Sequence, residues 1–257
     1  MTTPPQKLVP ALTSAIRILR YLNRTREPAS VSQIAQALGI NASTCFNILK
    51  TLAYERLLVF DSASKRYSLG LGLVELAHSV LDAGFVRHFH PRLEEIASRF
   101  GVTALLWQDA GQDRFVLVDK AEVNAAIRVH LTIGQRFPIL IGASGRCVAA
   151  LSGIGKEELR ERFKELRWQN APDFESYWQD VQTARETGYA VDYGNFNTGI
   201  TTVSAAVPGR NGIARMAIST VVVSTQFDED NLKALAVAVK AAAQDLVAMT
   251  GGEVPVA

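Results

Sequence analysis

Apolar residues recur every three or four positions in three successive segments near the start of the chain. The segments lie at about 12–22, 31–38 and 42–55, and this spacing predicts three amphipathic helices. Ser30 stands where its side chain can cap the second helix, and Gly39 follows that helix as a residue that permits a left-handed turn. The second and third helices are therefore predicted to be joined by a tight turn.

The pattern changes from helical spacing to alternation after the third helix. Leu58 and Phe60 precede the turn-rich stretch DSASK, and Tyr67 and Leu69 follow it, which predicts two short strands with a basic tip. Two helices, a glycine-containing turn, a further helix and a basic hairpin are together typical of a winged helix-turn-helix.

The rest of the chain alternates between helical and extended patterns. Residues 70–83, GLGLVELAHSVLDA, predict a connector helix with an apolar stripe. Further helices are predicted in RLEEIASRFG, GASGRCVAALSG, KEELRERFKEL, DFESYWQDVQTARETG and an Ala-rich segment from about Asp228; strands are predicted in VTALLWQDA, RFVLVDKAE, AAIRVHL, YAVD, TTVSAAV and GIARMAIST. This order predicts an α+β fold, in which an antiparallel sheet of the sensor-like (GAF/profilin-like) kind carries helices at its faces.

The net charge of +2 conceals an uneven distribution along the chain. Residues 1–70 carry nine Lys/Arg against three Asp/Glu, a net +6, whereas the other 187 residues carry 18 bases and 22 acids, a net −4. A basic module joined to a mildly acidic one is typical of a DNA-binding unit attached to a second domain. Double-stranded operator DNA is the predicted partner.

Composition also bears on location and cofactors. No apolar run approaches the roughly 18–20 residues that span a bilayer, and the start MTTPPQKLVPALTSA lacks the order of a signal peptide. Cys45 and Cys147 lie far apart in apolar helical patterns, which favours two small buried side chains over a disulfide or a metal site. We expect a cytoplasmic protein with no membrane contact, no cofactor and no bound metal.

The third predicted helix has a polar face that differs from the usual mixture of Glu and Lys. Opposite a buried stripe that includes Cys45 and Leu49, the side chains are short, hydrogen-bonding and free of acid. Asparagine can pair with adenine, hydroxyl groups can reach bases or phosphate, and cations on a wing can bind phosphate. The candidate DNA-binding residues are Ser43, Thr44, Phe46, Asn47, Lys50, Thr51, Lys65 and Arg66. An ordinary solvated surface is the alternative for this face, and Phe46 suits packing against the wing as well as contact with a thymine methyl.

The stretch GASG at residues 142–145 begins a predicted helix with almost no side-chain bulk. Its backbone N–H groups would be open to an anion, which the helix dipole favours. Small residues at this position could equally serve close packing between a helix and the sheet, so both interpretations stay open.

No catalytic arrangement can be assembled from the sequence. SASK at residues 62–65 has no partner motif, His88 and His90 have no evident third metal ligand, and GLGLVE lacks the third glycine of a dinucleotide fingerprint. Three hypotheses remain: a ligand-responsive regulator, a small-molecule-processing enzyme with an incidental basic segment, and a non-specific architectural DNA protein. The missing catalytic set favours the regulator, and we predict that the protein is not an enzyme.

The motifs of both halves together resemble the IclR-type transcriptional regulators. VSQIAQALGI, STCFNILKTL and RYSLG are similar to the family's winged helix-turn-helix, and GQRFPILIGASGRCVAAL, TGYAVDYGNFNTGITTVSAAV and GIARMAIST are similar to its ligand domain. The resemblance spans nearly the whole chain. It implies a DNA-binding domain at 1–70, a connector helix at 71–85, and an effector-binding and oligomerisation domain at 86–257.

The same resemblance implies a pocket for a small-molecule effector. The equivalent positions are Ala126, Val129, Phe137, Ala143, Ser144, Asp192, Thr202, Ser219 and Val221. Family members often have thiol or hydroxyl groups where Thr202 and Val221 stand, so this pocket is expected to be more apolar and to take a larger or aromatic acid. Ala42, Asn47 and the pair Tyr193-Gly194 depart from the family pattern, which leaves the operator sequence and the effector chemistry open.

These features predict a regulator that represses or activates transcription, controlling a catabolic operon in response to a small organic acid. One winged helix-turn-helix covers only a half-site, and the connector helix would leave an apolar stripe in water. We therefore expect a homodimer or a homotetramer.

Overall fold

A computed structural model of the protein describes residues 8–81, 84–123, 129–209 and 212–250. The chain divides into two compact units: the N-terminal unit, Met1–Asp82, and the C-terminal unit, Ala83–Ala257. No helix within the described ranges is long and apolar enough to cross a membrane.

The N-terminal unit has the helices and the hairpin that the sequence predicts. Its helices are α1 (Pro10–Thr25), α2 (Val31–Leu38), α3 (Ala42–Tyr54) and α4 (Gly72–Leu81), and its strands are β1 (Leu58–Asp61) and β2 (Arg66–Leu69). The strands pair antiparallel. Ser30 caps α2 in a capping box with Gln33, and the side chain of Asn41 accepts a hydrogen bond at the start of α3. Local capping chemistry thus fixes where the two central helices begin.

The core of the N-terminal unit lies between its helices and the hairpin. Ile18, Leu22 and Cys45 are buried in it. By contrast, Leu12 and Ile16, which belong to the apolar stripe of α1 in the sequence, are 59% and 41% exposed. The apolar surface of α1 is therefore wider than the face that packs against this core.

The C-terminal unit is built on one antiparallel sheet. Its strands are β3 (Thr103–Asp109), β4 (Arg114–Ala121), β5 (Arg136–Pro138), β6 (Ala190–Tyr193), β7 (Ile200–Pro208) and β8 (Ala214–Val223), and its helices are α5 (Gly84–Phe100), α6 (Gly142–Ser152), α7 (Lys156–Lys164), α8 (Phe174–Thr187) and α9 (Glu229–Thr250). The strand order is β5-β4-β3-β8-β7-β6, and neighbouring strands are antiparallel. The predicted α+β class is confirmed.

Side chains alternate between the two faces of this sheet and build two separate cores. On β7, Val203 and Ala205 pack with α5 and α9 in one core. Thr202 and Ser204 point to the other face, where α6 and α8 form the second core. Each central strand therefore serves both cores at once.

Two sequence predictions in this unit differ from the structure. AAIRVHL, residues 125–131, was expected to be a strand, but residues 129–131 are not in one, and 124–128 lie outside the described residues. The edge strand is β5 instead. Backbone hydrogen bonds join Leu117 on β4 to residues 134 and 135, and they place Phe137 on β5 opposite Phe115 on β4. The helix predicted from residue 92 begins earlier, at Gly84, and contains Pro91.

Candidate functional site

The polar face of α3 is open to solvent along its length. Its residues Ser43, Thr44, Asn47, Lys50 and Thr51 are all exposed. The opposite face is anchored in the core by fully buried side chains, Cys45 and Leu49. No acid occurs between residues 42 and 54. This face can therefore approach a polyanion without electrostatic repulsion from its own helix.

Two contacts organise the side chains on this face. The ammonium of Lys50 lies 5.5 Å from the ring centroid of Phe46, which is 44% exposed. The Thr51 hydroxyl donates to the carbonyl oxygen of Asn47 at 3.0 Å, so its lone pairs remain for an external donor. The amide of Asn47 points away from the core in an exposed position.

The hairpin tip is fixed by an acid rather than by its cations. Asp61 accepts hydrogen bonds from the Ala63 N–H at 2.8 Å and the Ser64 hydroxyl at 2.7 Å, and these bonds lower the pKa of its carboxyl. Lys65 closes the turn with a left-handed φ of 58° and is exposed. Arg66 is also exposed, and its Nη1 donates to the carbonyl oxygen of Pro28 at 3.3 Å. Arg66 thus connects the hairpin to the loop before α2.

A cavity opens in the C-terminal unit between the sheet and the start of α6. It is lined by Leu105, Trp107, Phe115, Val129, Leu131, Phe137, Ile141, Gly142, Ala143, Ser144, Phe196, Asn197, Ile200, Thr202, Ser204, Ser219 and Val221. Its volume is about 80 Å³. Because one water needs roughly 10–15 Å³ on this scale, the space suits a few waters or one small organic molecule.

Aromatic rings form one wall of this cavity. The ring centroids of Trp107 and Phe137 are 5.3 Å apart, and those of Phe137 and Phe196 are 5.5 Å apart. Both pairs are close to perpendicular, with interplanar angles of 82° and 89°, which is a favoured aromatic geometry. Among the described residues that line the cavity, none has a charged side chain.

Hydroxyl-bearing residues and Asn197 form the polar part of the lining. Ser204 and Ser219 are paired across β7 and β8, and the buried Ser204 hydroxyl donates to Ser219 at 2.7 Å. Thr202 lies opposite Val221 in the same register. The Ser144 hydroxyl bonds the Ile141 carbonyl oxygen at a long 3.4 Å. The cavity therefore offers weak neutral polar groups inside a mostly apolar wall.

The start of α6 combines a packing role with an open helix end. A Cβ at Gly145 would overlap the backbone of Leu140, and Gly142 has a left-handed φ of 66°. Both glycines are therefore required by the backbone. The N-cap residue Ile141 makes no side-chain hydrogen bond to the helix, so no side-chain cap covers the N–H groups beside Ala143 and Ser144.

Asp192, at the end of β6, lies behind the cavity rather than in its lining. Its carboxylate is buried and binds the guanidinium of Arg146 at 2.9 Å. Its second oxygen accepts hydrogen bonds from the backbone N–H groups of Asn195 and Phe196. Both oxygens are thus engaged within the protein.

Two family models match the chain along most of its length. The IclR helix-turn-helix domain matches residues 11–62, and the bacterial transcriptional regulator IclR C-terminal domain matches residues 77–248. The chain belongs to the IclR family of transcriptional regulators. The expectation of a DNA-binding regulator with an effector-binding domain is confirmed, and the family is one of regulators rather than of enzymes.

Relatives of this IclR-family protein agree in sequence and in fold. The HTH-type transcriptional repressor AllR of Escherichia coli K12 is 27% identical over 252 residues, which cover 96% of this chain and 92% of AllR. An IclR regulator structure from Alicyclobacillus acidocaldarius is 28% identical with a TM-score of 0.82, covering 95% of this chain and all of the other (100%). An IclR homolog from Microbacterium hydrocarbonoxydans, complexed with 4-hydroxybenzoate, is 19% identical, with a TM-score of 0.75 and coverage of 91% and 99%, and so shows a shared fold.

The structure of this IclR-family protein brings most of the expected effector residues together. Val129, Phe137, Ala143, Ser144, Thr202, Ser219 and Val221 line the cavity. Ala126 lies outside the described residues, and Asp192 does not line the cavity. Sequence reasoning missed Trp107 and Phe196. Alternation along β3 could have indicated Trp107, whereas Phe196 lies in a loop with no periodic signal.

The cysteines and His90 of this IclR-family protein lie in surroundings that suit a structural role. Cys147 is a buried free thiol, and burial raises its pKa to about 12, while Cys45 is buried and free as well. His90 is partly exposed and lies beside Asp119, with Nδ1 at 2.9 Å from Oδ2. In the described part of the chain, no group of three or more His, Cys, Asp or Glu could hold a metal ion.

Proposed function

We propose that this protein controls a catabolic operon in response to a small aromatic or hydrophobic organic acid, which binds in the cavity beside α6. The observation that carries this proposal is an aromatic wall next to a helix start whose N–H groups no side chain caps. Such a helix end attracts an anion through its unpaired N–H groups and its dipole.

The effector's two ends would meet different parts of the cavity. Its carboxylate would accept hydrogen bonds from the N–H groups near Ala143 and Ser144, because the described lining offers no cation. Its apolar ring would lie among Trp107, Phe137 and Val221. Support comes from the Microbacterium homolog of the same fold, whose structure holds 4-hydroxybenzoate.

On DNA, we propose that α3 enters the major groove with its exposed polar face. Asn47 would read a base edge, and Ser43, Thr44 and Thr51 would reach bases or phosphate. Lys65 and the free nitrogens of Arg66 would bind phosphate beside the groove. We also propose a cytoplasmic location, because the operator DNA lies there.

The proposed response to the effector acts through more than one DNA-binding unit. We propose a homodimer or homotetramer, since Leu12 on α1 and Val74 and Leu76 on α4 are 59%, 56% and 67% exposed, which is apolar surface that a partner copy would cover. Effector binding would change the spacing of two α3 helices over a two-fold operator, and such coupling is typically worth about 1–3 kcal/mol. Light scattering that returned the single-chain mass of 28.0 kDa at micromolar concentration would overturn the oligomer.

The effector site is tested by placing a charge at the helix start. Ser144→Asp adds a carboxylate beside the proposed carboxylate site, and Ser144→Asn adds the same bulk without charge. An acid near a helix start favours the helix, so the fold should survive the change. In calorimetry with 4-hydroxybenzoate, we expect the Asp variant to lose at least about a hundredfold in affinity and the Asn variant to lose much less. Equal affinities in the wild type and the Asp variant would show that the acid binds elsewhere.

A further inference from the structure

Arg146 heads the fully buried side chains, ranked by residue volume, in the described part of the chain. It leaves α6 two residues after Ser144 and is 1% exposed. Each of its three guanidinium nitrogens donates a 2.9 Å hydrogen bond to a different residue: Nε to Asp180, Nη1 to Asp192 and Nη2 to Asn195. Arginine is suited to this arrangement because its planar fork directs several donors at fixed angles.

The surroundings of Arg146 leave it one orientation. The guanidinium lies 5.7 Å from the ring centroid of Trp168 and 5.3 Å from that of Tyr177. The Tyr177 hydroxyl in turn donates to the carbonyl oxygen of Leu140 at 2.8 Å, immediately before α6. A buried charge of this kind is tolerated only when it is paired and hydrogen-bonded, so Arg146 and its acceptors depend on one another.

Two of the three acceptors belong to the β6–β7 loop, residues 194–199, or to the strand that leads into it. Asp192 receives Nη1 on one oxygen and uses the other to bind the N–H groups of Asn195 at 2.8 Å and Phe196 at 3.3 Å. Asn195 receives Nη2 directly. The third acceptor, Asp180, lies on α8 rather than in this loop and is 47% exposed.

The outer side of the β6–β7 loop is tied to the connection between α7 and α8. Backbone hydrogen bonds run from the N–H of Asn170 to the Asn195 carbonyl at 3.0 Å and from the N–H of Gln169 to the Phe196 carbonyl at 3.3 Å. The side-chain amide of Asn195 also donates to the Asn170 carbonyl at 3.3 Å. The loop is therefore held between Arg146 on one side and residues 169–170 on the other.

This loop is the part of the chain that supplies Phe196 and Asn197 to the cavity wall. The ring of Phe196 meets Phe137 edge to face, so its position decides how much space an aromatic ligand finds. We propose that Arg146 is a positioning residue for ligand binding, which holds the β6–β7 loop through Asp192 and Asn195 and so fixes the aromatic wall. This inference rests on the proposed effector role of the cavity. It assigns Asp192 a role through Arg146 instead of a contact with the ligand.

The test compares two of the residues that accept hydrogen bonds from the Arg146 guanidinium. Asn195→Ala removes the Nη2 acceptor within the loop together with the amide donor to the Asn170 carbonyl, and Asp180→Ala removes the Nε acceptor on α8, outside the loop. Asn195→Asp keeps the acceptor for Nη2 and removes only the donor to Asn170, so it should behave like Asp180→Ala if Arg146 is what holds the loop. Hydrogen exchange of peptides covering residues 193–199 measures whether the loop opens, and calorimetry with 4-hydroxybenzoate measures ligand binding. We expect Asn195→Ala to accelerate hydrogen exchange in the loop about tenfold and to lower the affinity for 4-hydroxybenzoate by a similar factor. Loss of hydrogen bonds to a charged group predicts an effect of this size. Asp180→Ala should leave both readings near those of the wild type.

Each remaining outcome counts against one proposal. Unchanged loop exchange in Asn195→Ala, or faster exchange with unchanged 4-hydroxybenzoate affinity, overturns the positioning role. Equal effects of both variants on loop exchange overturn it as well, because they indicate a loss of general stability. If the wild type binds no 4-hydroxybenzoate and no other aromatic acid, the proposed effector class fails, and the positioning role for ligand binding fails with it. If the wild type does bind the acid and only the positioning test fails, the proposed effector class stands and the positioning role alone is overturned.

Discussion

The face of α3 and the cavity beside α6 are both candidate binding surfaces, but they are assembled in different ways. The α3 face is made of side chains that are three or four residues apart on one helix, with its start fixed by the cap at Asn41. The cavity takes residues from β3, β4, β5, β7, β8, α6 and three loops, and these residues span positions 105 to 221. One surface is local in the sequence, and the other exists only after the sheet has formed.

This difference has consequences for stability as well as for recognition. Substitutions on the α3 face change exposed side chains and should alter DNA binding without unfolding the N-terminal unit. The cavity depends on close contacts between backbone segments, such as the approach of Gly145 to Leu140. Changes at such backbone contacts should affect the fold of the C-terminal unit first, unlike changes of cavity-facing side chains. Three predictions test this contrast, from the largest expected effect to the smallest.

Gly145→Ala should strongly destabilise the C-terminal unit. The added Cβ would overlap the backbone of Leu140, which cannot move aside as a flexible side chain could, and we expect a loss of about 3 kcal/mol in its free energy of unfolding. Urea unfolding followed by tryptophan fluorescence measures this, because all three Trp residues lie after residue 100. Gly155→Ala is the control, since a Cβ there meets nothing within 4 Å, and it should cost less than about 1 kcal/mol. Equal unfolding midpoints for the two variants would contradict the packing role of Gly145.

Asn47→Ala should change which DNA sequences are bound rather than whether the unit folds. Loss of a base contact costs about 1–3 kcal/mol at the position that is read and relaxes the preference there. Lys65→Ala should weaken binding to all sequences alike. It should also reduce the slope of log binding constant against log salt concentration by about one. Selection from random duplexes followed by sequencing, with binding measured at several salt concentrations, separates the two. A uniform loss in both variants would mean that α3 does not read bases.

His90 should give the C-terminal unit a small pH dependence, whereas α3 (Ala42–Tyr54) contains no histidine that could titrate in this range. The hydrogen bond to Asp119 raises the pKa of His90, and Glu94 adds to the effect. The protonated form is the favoured one in the folded state. Its contribution is therefore complete below about pH 6.5, the ordinary value, and is lost as the pH rises through the raised pKa.

The measurement is thermal or urea unfolding between pH 5.5 and about pH 8.5, with His90→Gln as the variant. Because the side chain of His90 is 40% exposed, we expect a loss of less than about 1 kcal/mol across this range in the wild type. The variant should show a flatter profile. A wild-type profile that rises with pH would contradict the assigned direction.

The same contrast explains how much could be predicted from sequence. The helices and hairpin of the N-terminal unit follow from local periodicity and from caps such as Ser30, and the structure has them where the pattern indicates. Seven of the nine expected effector residues line the cavity; the small-residue stretch GASG indicates Ala143 and Ser144, and the other five follow only from family resemblance. Arg146 reads in the sequence as a charged residue in a small-residue helix, and only the fold shows its three acceptors. The edge strand differs from the prediction for a similar reason. Residues 125–131 have the stronger strand pattern, but the segment that pairs with Phe115 on β4 is the one that contains Phe137.

Alternation along β7 and β8 also bears on how such proteins diverge. Thr202, Ser204, Ser219 and Val221 face the cavity, whereas their neighbours Val203 and Ile218 pack in the other core against α5 and α9. If the cavity is the effector site, as we propose, a mutation at a cavity-facing position would alter ligand chemistry while the neighbouring core keeps its packing. Natural selection could then explore new effectors one residue at a time on an unchanged scaffold. Separation of the two tasks on opposite faces of one strand would make the effector an evolvable property of this fold.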